Sequence, residues 1–274
     1  MKPPAPTTML GIETSCDETA AAVLDGDGHV LANVISSQQT VHERFGGVVP
    51  ELASRAHIQN VDHVTRRALE AAGLCWQDLG AIAVTQGPGL AGALLVGISY
   101  AKSLAYALGL PLVGVSHLEG HIASAWIDRP SFPRTCVVLI ASGGHTHLFH
   151  AQEHGGFHLM GRTIDDAAGE AFDKGAQMLG LGYPGGPLID AAARKGNPAA
   201  VRFPRSRVRT GQLDFSFSGL KTALLYHLQR MDQEAILQQQ ADLAAGYQEA
   251  IVDVLVHQTF AALRQAGVSA LAVV

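Results

Sequence analysis

The chain contains 274 residues, of which 47% are hydrophobic and 16% charged. This length fits about two domains, and the composition excludes a disordered protein. Acidic residues outnumber basic ones, 24 to 19, for a formal net charge of −5, which argues against a protein that coats nucleic acid through bulk charge.

The first half of the chain alternates apolar runs with glycine and proline signals. Five apolar runs predict strands: residues 9–12, 20–24, 30–35, 81–85 and 112–115. The sequence DGDG at 25–28 predicts a tight hairpin turn. Helices are expected from Pro50 to Gly73 and from the QGPG loop at 86–89 to about Leu108. The strand–helix–strand unit so formed implies parallel strands.

The opening pattern recurs after a proline-containing segment at 129–134, which we interpret as a linker. Three further strands are predicted in the second half, with a turn at 154–156: residues 136–140, 147–151 and 157–161. We therefore predict an internal duplication, with a tail at 1–8, a first lobe at 9–128 and a second lobe at 135–274.

The rest of the second lobe is predicted to be mainly helical. Asp165 or Asp166 is expected to cap a helix that ends near Leu179. A rigid turn and three more helices follow: residues 183–187, then 188–195, 219–230 and 233–267. The apolar residues 271–274 predict a buried strand, and we expect a further C-terminal piece to complete the second lobe.

The sequence favours a reducing compartment such as the cytoplasm and no membrane. The three cysteines, Cys16, Cys75 and Cys136, are an odd number at unrelated spacings, so they indicate no disulfide framework. The N-terminus lacks the apolar core of a signal peptide. The long uncharged stretch at 79–101 is interrupted by the QGPG loop, which favours a strand, a loop and a buried helix over a membrane span.

Two loops at equivalent places in the repeat suggest an anion site. ASGGHT at 141–146 combines glycines with hydroxyls, so backbone N–H groups can approach a phosphate closely. ETSCDE at 13–18 supplies hydroxyls and acids that can hold a cation beside a phosphate. Gly186 can approach a ribose or a base. Each loop alone is more often a turn, but the matched pair predicts a nucleotide in a cleft that both loops share.

His117 and His121 are spaced to lie on one face of a helix directly after an apolar strand. That spacing suits one metal ion with a third ligand from elsewhere. The alternative is a pair of ordinary surface or core histidines. Glu119 faces away from both, so the order is not that of a zinc protease. The cysteines carry no nucleophile signature, and no catalytic acid or base is assigned.

Two charged groups have both a plain and a functional interpretation. Asp166, Glu170 and Asp173 form an acidic stripe, best interpreted as a solvated helix face with a Glu170–Lys174 pair; the alternative is a carboxylate that binds ribose or a cation. Six basic residues without an intervening acid form the one credible contact for a phosphate backbone: Arg194, Lys195, Arg202, Arg205, Arg207 and Arg209.

Eight motifs, in order, resemble the bacterial tRNA N6-adenosine threonylcarbamoyltransferases of the TsaD type, formerly described as glycoprotein endopeptidases. The resemblance runs from about residue 9 to the last residue. The motifs are LGIETSCDET at 10–19, GGVVPE at 46–51, QGPGL at 86–90, the pair His117 and His121, SGGHT at 142–146, DDAAGEAFDK at 165–174, YPGGP at 183–187 and DFSFSGLK at 214–221.

The resemblance implies an actin/Hsp70/sugar-kinase-like α/β fold with two lobes, the second one incomplete. It implies transfer of a threonylcarbamoyl group from threonylcarbamoyl-AMP to N6 of the adenosine just 3′ of the anticodon, in tRNAs reading codons that begin with A. It places one divalent metal, Fe²⁺ or else Zn²⁺, on His117 and His121. The implied nucleotide-binding residues are Ile140, Ala141, Ser142, Gly143, Gly144, Asp173, Gly186 and Asp190.

The resemblance also implies partners: tRNA, a TsaB-type paralogue and a TsaE-type ATPase. In the family, a Gly-Gly-Val-x-x-Asn loop and an aspartate metal ligand follow the strand at 271–274, and the sequence does not contain them. We therefore expect two imidazoles alone to hold metal poorly. Two alternatives stay open: a non-catalytic scaffold paralogue, a type that usually lacks the histidine pair, and a small-molecule kinase, which has no use for it.

Overall fold

The computed structural model of the chain describes residues 8–127, 129, 131–153, 156–206 and 213–274. The chain divides into two compact units, residues 1–130 and 131–274. The predicted tail (1–8), linker (129–134) and turn (154–156) lie wholly or partly outside the described residues, as do Arg207 and Arg209.

The first unit is a five-stranded mixed sheet with helices packed on it. Its strands are β1 (Met9–Glu13), β2 (Glu18–Leu24), β3 (Val30–Ser37), β4 (Ala81–Gly87) and β5 (Leu112–Ser116). Its helices are α1 (Gln39–His42), α2 (Pro50–Ala72), α3 (Ala91–Leu108) and α4 (His117–Ser124). The strand order is β3-β2-β1-β4-β5. β1 is antiparallel to β2 but parallel to β4, and β4 is parallel to β5.

Local sequence signals explain where α2 begins and ends. Pro50 is the first helical residue, where its missing N–H costs no hydrogen bond. Gly73 ends the helix in the left-handed conformation, with φ 69°, which favours glycine. Between them, apolar residues on one face of α2, such as Val64 and Leu69, pack into the same core as Ile82 of β4.

Helix α3 meets, by length and composition, the requirements of a membrane-spanning helix, and it is the one such helix among the described residues. It packs against α2 and against β1, β4 and β5. Its small residues Ala93, Gly97 and Ala101 face that packing and are buried, whereas Leu95 and Tyr106 on its other faces are exposed. The predicted strand, loop and helix over 79–101 are confirmed by β4 and α3, but the helix is not the buried one expected, because only 28% of it is buried.

The second unit repeats the strand arrangement of the first. Its strands are β6 (Cys136–Ala141), β7 (Thr146–Ala151), β8 (Phe157–Arg162) and β9 (Leu271–Val273). Its helices are α5 (Ala168–Met178), α6 (Gly185–Ala193), α7 (Ser218–Leu228) and α8 (Gln233–Ala266). The order β8-β7-β6-β9, with β7 antiparallel and β9 parallel to β6, matches β3-β2-β1-β4. The predicted duplication is confirmed.

Two predicted boundaries in the second unit are wrong. Neither Asp165 nor Asp166 caps α5: the N-cap is Ala167, and no side chain accepts a hydrogen bond there. Residues 183–187 are not simply a turn, because α6 begins at Gly185 and includes Pro187. Proline is tolerated in a first helical turn, where the N–H groups have no partner within the helix.

Candidate functional site

In the first unit, three side chains meet at one edge of the sheet. β1, β4 and β5 are neighbouring parallel strands, so their carboxyl ends lie at the same edge. Glu13 is the last residue of β1, Thr85 lies near the end of β4, and His117 follows β5 directly. The fold therefore gathers a carboxylate, a hydroxyl and an imidazole that are far apart in sequence.

The Glu13 carboxylate is the centre of this cluster. Its Oε2 atom accepts hydrogen bonds from the Thr85 hydroxyl at 2.6 Å and from Nδ1 of His117 at 3.0 Å. The backbone N–H of Ser15 donates to the other oxygen, Oε1. Burial by itself raises the pKa of Glu13, but the hydrogen bonds, that of His117 foremost, outweigh it and lower the pKa to about 2. Glu13 is therefore an anion at neutral pH.

The ionised Glu13 fixes the tautomer of His117. A carboxylate only accepts hydrogen bonds, so Nδ1 of His117 carries a proton, and in the neutral ring the lone pair is then on Nε2. A carboxylate that orients an imidazole in this way is a common support of metal-ligating histidines. The Ser15 hydroxyl lies 3.1 Å from the same Nδ1 and supports the same ring orientation.

His117 and His121 point their Nε2 atoms at each other from successive turns of α4. The two Nε2 atoms are 3.1 Å apart, and the ring planes meet at 82°. Two nitrogen ligands about 2.1 Å from one ion lie about 3–3.4 Å apart, so the pair fits a single divalent metal. Burial, and secondarily His117, lowers the pKa of His121, which keeps its imidazole neutral and able to ligate.

The loop after β1 is held tightly against α3. The Thr14 hydroxyl donates to Ala93 O at 2.9 Å, and Leu90 N donates to Ser15 O at 2.8 Å. A Cβ at Gly89 would lie 2.6 Å from Ser15 O, and one at Gly97 would overlap Oγ1 of Thr14. These two glycines therefore allow the close approach that fixes the loop beside Glu13.

In the second unit, the predicted glycine loop forms a tight turn between β6 and β7. Ser142 N donates to His145 O at 2.8 Å, and His145 N donates to the Ser142 hydroxyl oxygen at 3.1 Å. A Cβ at Gly143 or Gly144 would meet no atom within 4 Å, and neither residue has a positive φ. The packing of the unit does not require glycine at either position, which leaves a backbone surface open to a ligand.

One face of α5 connects this loop to the start of α6. Gly169 lies against the glycine loop: its N–H donates to Ser142 O at 3.1 Å. One turn later, Asp173 Oδ1 accepts a hydrogen bond from Gly185 N at 2.7 Å. Gly186, the next residue of α6, has open space where a Cβ would stand. Residues predicted to bind nucleotide from three separate motifs thus surround one helix.

The remaining predicted nucleotide residues take different positions. Ile140 is buried in β6, so only its backbone is available to a ligand, while Ala141 ends the strand and is exposed. Asp190 lies on α6 and is already paired, with Arg194 at 2.7 Å and with Gln248 Nε2 at 3.4 Å. A ligand that uses the Asp190 carboxylate would share it with these two side chains.

The charged groups are only partly as predicted. Asp166 lies before α5, so the predicted acidic stripe does not lie on one helix face. Lys174 Nζ contacts both Asp166, at 2.7 Å, and Glu170, at 2.8 Å, which confirms the predicted Glu170–Lys174 pair.

In the basic cluster, Arg194 pairs with Asp190. Arg205 pairs with Asp253 at 2.7 Å. Lys195 and Arg202 are both exposed.

Among the described residues, one further group of potential metal ligands is Asp25, Asp27 and His29. It lies in the hairpin turn between β2 and β3. Asp25 Oδ1 accepts from the backbone N–H groups of Asp27 and His29, both at 2.9 Å, and Asp25 Oδ2 lies 2.9 Å from His29 Nδ1. These bonds close the turn, and we assign the group to turn formation.

The pairing of Glu13 with His117 is a feature that the sequence motifs did not reveal. The acids at 13–18 are predicted from the motif to hold a cation beside a phosphate, whereas Glu13 contacts a predicted metal ligand. The available signal was the predicted parallel sheet: Glu13 and His117 both follow strands whose carboxyl ends share an edge.

The structure defines a duplicated α/β protein of the actin/Hsp70/sugar-kinase type, with an oriented histidine pair in one unit and a glycine loop in the other. A family model described as tRNA N6-adenosine threonylcarbamoyltransferase (TsaD) matches residues 29–274. The chain belongs to this family.

Curated relatives with that name are closely similar over most of the chain. The protein of Moorella thermoacetica is 54% identical over 259 residues, which cover 93% of this chain and 75% of the relative. That of Trichlorobacter lovleyi is 53% identical over 266 residues, covering 97% and 77%. Among solved structures, component A of (R)-2-hydroxyglutaryl-CoA dehydratase from Acidaminococcus fermentans has a TM-score of 0.49 at 14% identity, covering 98% of this chain and 92% of that one.

Proposed function

We propose that this chain transfers the threonylcarbamoyl group from threonylcarbamoyl-AMP to N6 of the adenosine just 3′ of the anticodon, in tRNAs reading codons that begin with A. Family membership supports the reaction. The observation that carries the proposal in this chain is the Glu13–His117–His121 arrangement, in which an anion fixes one imidazole so that its lone pair faces a second imidazole 3.1 Å away.

We propose His117 and His121 as ligands of one divalent metal, Fe²⁺ or Zn²⁺. Such an ion polarises a carbonyl oxygen and stabilises negative charge that develops on it. Glu13 keeps His117 in the ligating tautomer, and Ser15 and Thr85 keep Glu13 in place through their hydrogen bonds. The chain thereby provides two imidazole nitrogens close enough to bind one ion.

The glycine loop and its neighbours on α5 and α6 are proposed to bind the AMP portion of the donor. Gly143 and Gly144 leave backbone open for a phosphate, and the hydroxyl of Ser142 adds a polar group beside them. Gly186 leaves room for the sugar or the base. Asp173 acts through the backbone: its hydrogen bond to Gly185 N fixes the first turn of α6. Asp190 is proposed as a hydrogen-bond acceptor for the ribose.

The reaction needs no covalent intermediate with the enzyme. The donor is a mixed carbamic–phosphoric anhydride, so its carbonyl carbon is already activated. The N6 amine forms a new C–N bond to that carbon, the C–O bond to the phosphate breaks, AMP leaves, and the amine loses a proton. N–H donors aimed at the leaving phosphate lower the barrier by stabilising its charge.

We further propose that the chain works in the cytoplasm with tRNA, a TsaB-type paralogue and a TsaE-type ATPase. Its acidic net charge of −5 supports a need for partners in tRNA binding. Arg202 and Lys195, both exposed, are the described members of the basic cluster without an ion pair in the structure, and we propose them as contacts to the tRNA backbone.

A transfer assay tests the proposal. The chain is incubated with threonylcarbamoyl-AMP, unmodified tRNA and the two partner proteins, and the tRNA is digested and analysed for threonylcarbamoyladenosine by mass spectrometry. We expect product with the unchanged chain and with His63→Ala, an exposed histidine on α2, but none with His117→Ala. The absence of product, when the Moorella thermoacetica relative gives product in the same mixture, would overturn the proposal.

A further inference from the structure

A buried chain of hydrogen bonds leads from the start of α2 to the loop that follows Glu13 and carries Ser15. Its members are the side chains of His42, Gln38, His57 and Thr19, each at most 1% exposed. Buried polar side chains destabilise a core unless they are hydrogen-bonded, so a set of four requires an explanation. None of the four belongs to the metal or nucleotide sites proposed for this chain.

The protonation state of His57 follows from its partners. Its Nε2 atom lies 3.0 Å from the backbone carbonyl oxygen of Cys16, which only accepts, so Nε2 carries the proton. Nδ1 then accepts from the Thr19 hydroxyl at 2.8 Å and from Nε2 of Gln38 at 3.2 Å. Burial lowers the pKa of His57, in agreement with a neutral ring.

The second imidazole continues the same pattern. Val49 N donates to Nδ1 of His42 at 3.2 Å, so Nε2 of His42 carries its proton and donates to Oε1 of Gln38 at 3.3 Å. That contact turns the amide nitrogen of Gln38 towards His57. The hydrogen bonds therefore run in one consistent direction: Val49 donates to His42, His42 to Gln38, Gln38 to His57, and His57 to the Cys16 carbonyl.

The chain of hydrogen bonds ends one residue from the groups that orient His117. Cys16 follows Ser15, whose N–H binds Glu13 and whose hydroxyl lies 3.1 Å from Nδ1 of His117. On its other side the loop is fixed by Leu90 N, which donates to Ser15 O. His57 and the loop 86–90 thus hold the segment 14–17 from two directions.

We propose that His57 is a positioning residue for the histidine pair: as a neutral Nε2–H imidazole it fixes the Cys16 carbonyl, and through Ser15 and Glu13 it sets the orientation and tautomer of His117. This inference rests on the proposed function, which assigns His117 to a metal. It concerns a side chain that touches neither the metal ligands nor a substrate, so it acts only through the loop.

The experiment first determines the imidazole tautomers of the metal-free chain from long-range ¹H–¹⁵N NMR spectra. We expect the Nε2–H form for His57 and the Nδ1–H form for His117. An Nδ1–H form or a charged ring at His57 at pH 7 overturns the proposal, and this measurement needs no variant, metal or activity.

Three variants then separate positioning from general stability. His57→Leu removes all three hydrogen bonds of the ring, to Cys16, Thr19 and Gln38, whereas His57→Gln keeps a donor near the position of Nε2. His42→Leu is the matched control, because His42 is equally buried in the same network but contacts Val49 instead of Cys16. For His57→Leu we expect loss of the single His117 tautomer and at least about a tenfold weaker affinity for Co²⁺. His57→Gln restores both, and His42→Leu retains both despite a lowered melting temperature.

Two results would overturn the proposal: a folded His57→Leu with an unchanged His117 tautomer, or His42→Leu with the same effect on His117 as His57→Leu. If His57→Leu does not fold, the wild-type tautomer and the His57→Gln spectrum decide. If no metal binds and no modified tRNA forms with the unchanged chain, the proposed function fails, while the metal-free spectra still test the role of His57.

Discussion

Oε2 of Glu13 lies 3.0 Å from Nδ1 of His117, across 104 positions of sequence. The two carboxylate oxygens serve different donors, since Oε1 accepts from Ser15 N and Oε2 from His117. Glu13→Gln leaves a single acceptor oxygen for these two donors, so one hydrogen bond is lost. We expect Co²⁺ affinity, measured by absorption titration, to fall by about 10–100-fold.

A substitution on α4 itself provides the control for Glu13→Gln. Glu119 lies between the two histidines in sequence but is exposed. Glu119→Gln removes the same charge near the pair without removing a partner of His117, and we expect an unchanged Co²⁺ affinity. Equal losses for the two variants would mean that Glu13 acts by charge alone and not by fixing the tautomer.

Substitution by alanine should destabilise the second unit at Gly169 but not at Gly143. A Cβ at Gly169 would lie 2.6 Å from Ser142 O and 2.7 Å from Gly143 Cα. Both are backbone atoms, so the clash can be relieved only by displacing the glycine loop. We expect Gly169→Ala to lower the free energy of unfolding by about 1–3 kcal/mol. A Cβ at Gly143 meets no atom within 4 Å, so Gly143→Ala should change that free energy by less than about 0.5 kcal/mol.

AMP binding tests the role of Gly143 in ligand binding separately from its effect on stability. The new methyl group of Gly143→Ala occupies the open surface where we place the phosphate. We expect AMP affinity, measured by calorimetry, to fall at least about tenfold, the effect of removing one N–H hydrogen bond to an anion. Gly219→Ala, at another position with open space, is the control and should bind AMP normally. Normal binding by Gly143→Ala would place the phosphate elsewhere.

Charge reversal at Arg202 tests the proposed interaction with tRNA. Arg202 is exposed, so Arg202→Glu should fold normally. We expect weaker tRNA binding by the assembled complex, and a plot of log affinity against log salt whose slope is reduced by about 0.7–0.9 for each phosphate that the variant no longer neutralises. Arg66→Glu is the control on α2, where Arg66 pairs with Asp62 at 2.8 Å. An unchanged slope for Arg202→Glu would remove Arg202 from the interface.

Most helices and strands could be predicted because they carry a local signal, although the short α1 was not. Pro50 and Gly73 mark the two ends of α2, and the duplication was visible as a repeated strand–loop–hairpin pattern. The spacing of His117 and His121 required only that α4 be helical. These signals lie within a few residues of the feature that they predict, so no knowledge of the tertiary fold was needed.

Contacts between distant segments could not be predicted from spacing. The local pattern predicts Asp165 or Asp166 as the cap of α5, yet the Asp165 carboxylate accepts hydrogen bonds from Phe217 N at 2.7 Å and Ser218 N at 3.2 Å, at the start of α7. Pairing of Thr163 with Phe215 brings these segments together. Likewise, the partners of Glu13 and His57 depend on strand order and helix packing, which the local pattern around each residue does not contain.

The position of Asp165 leads to a prediction about pH. Burial alone raises the pKa of Asp165, but hydrogen bonds from Ser216, Phe217 and Ser218 outweigh it, so the pKa of the folded chain lies below the ordinary 3.8. The unfolded chain therefore binds more protons in this range. The stabilisation is complete well above pH 3.8 and is lost as the pH falls through the pKa of the folded state.

Asp165→Asn should remove this pH-dependent stabilisation. We expect the free energy of urea unfolding to fall by about 1 kcal/mol at pH 7, the size of a lost helix-terminus acceptor. The difference from the unchanged chain should shrink as the pH is lowered from 5 to 3, because the wild-type carboxylate becomes protonated. Asp27→Asn, at an exposed turn position, should follow the unchanged chain throughout. A difference at Asp165 that stays constant with pH would show that the carboxylate acts through packing and not through its charge.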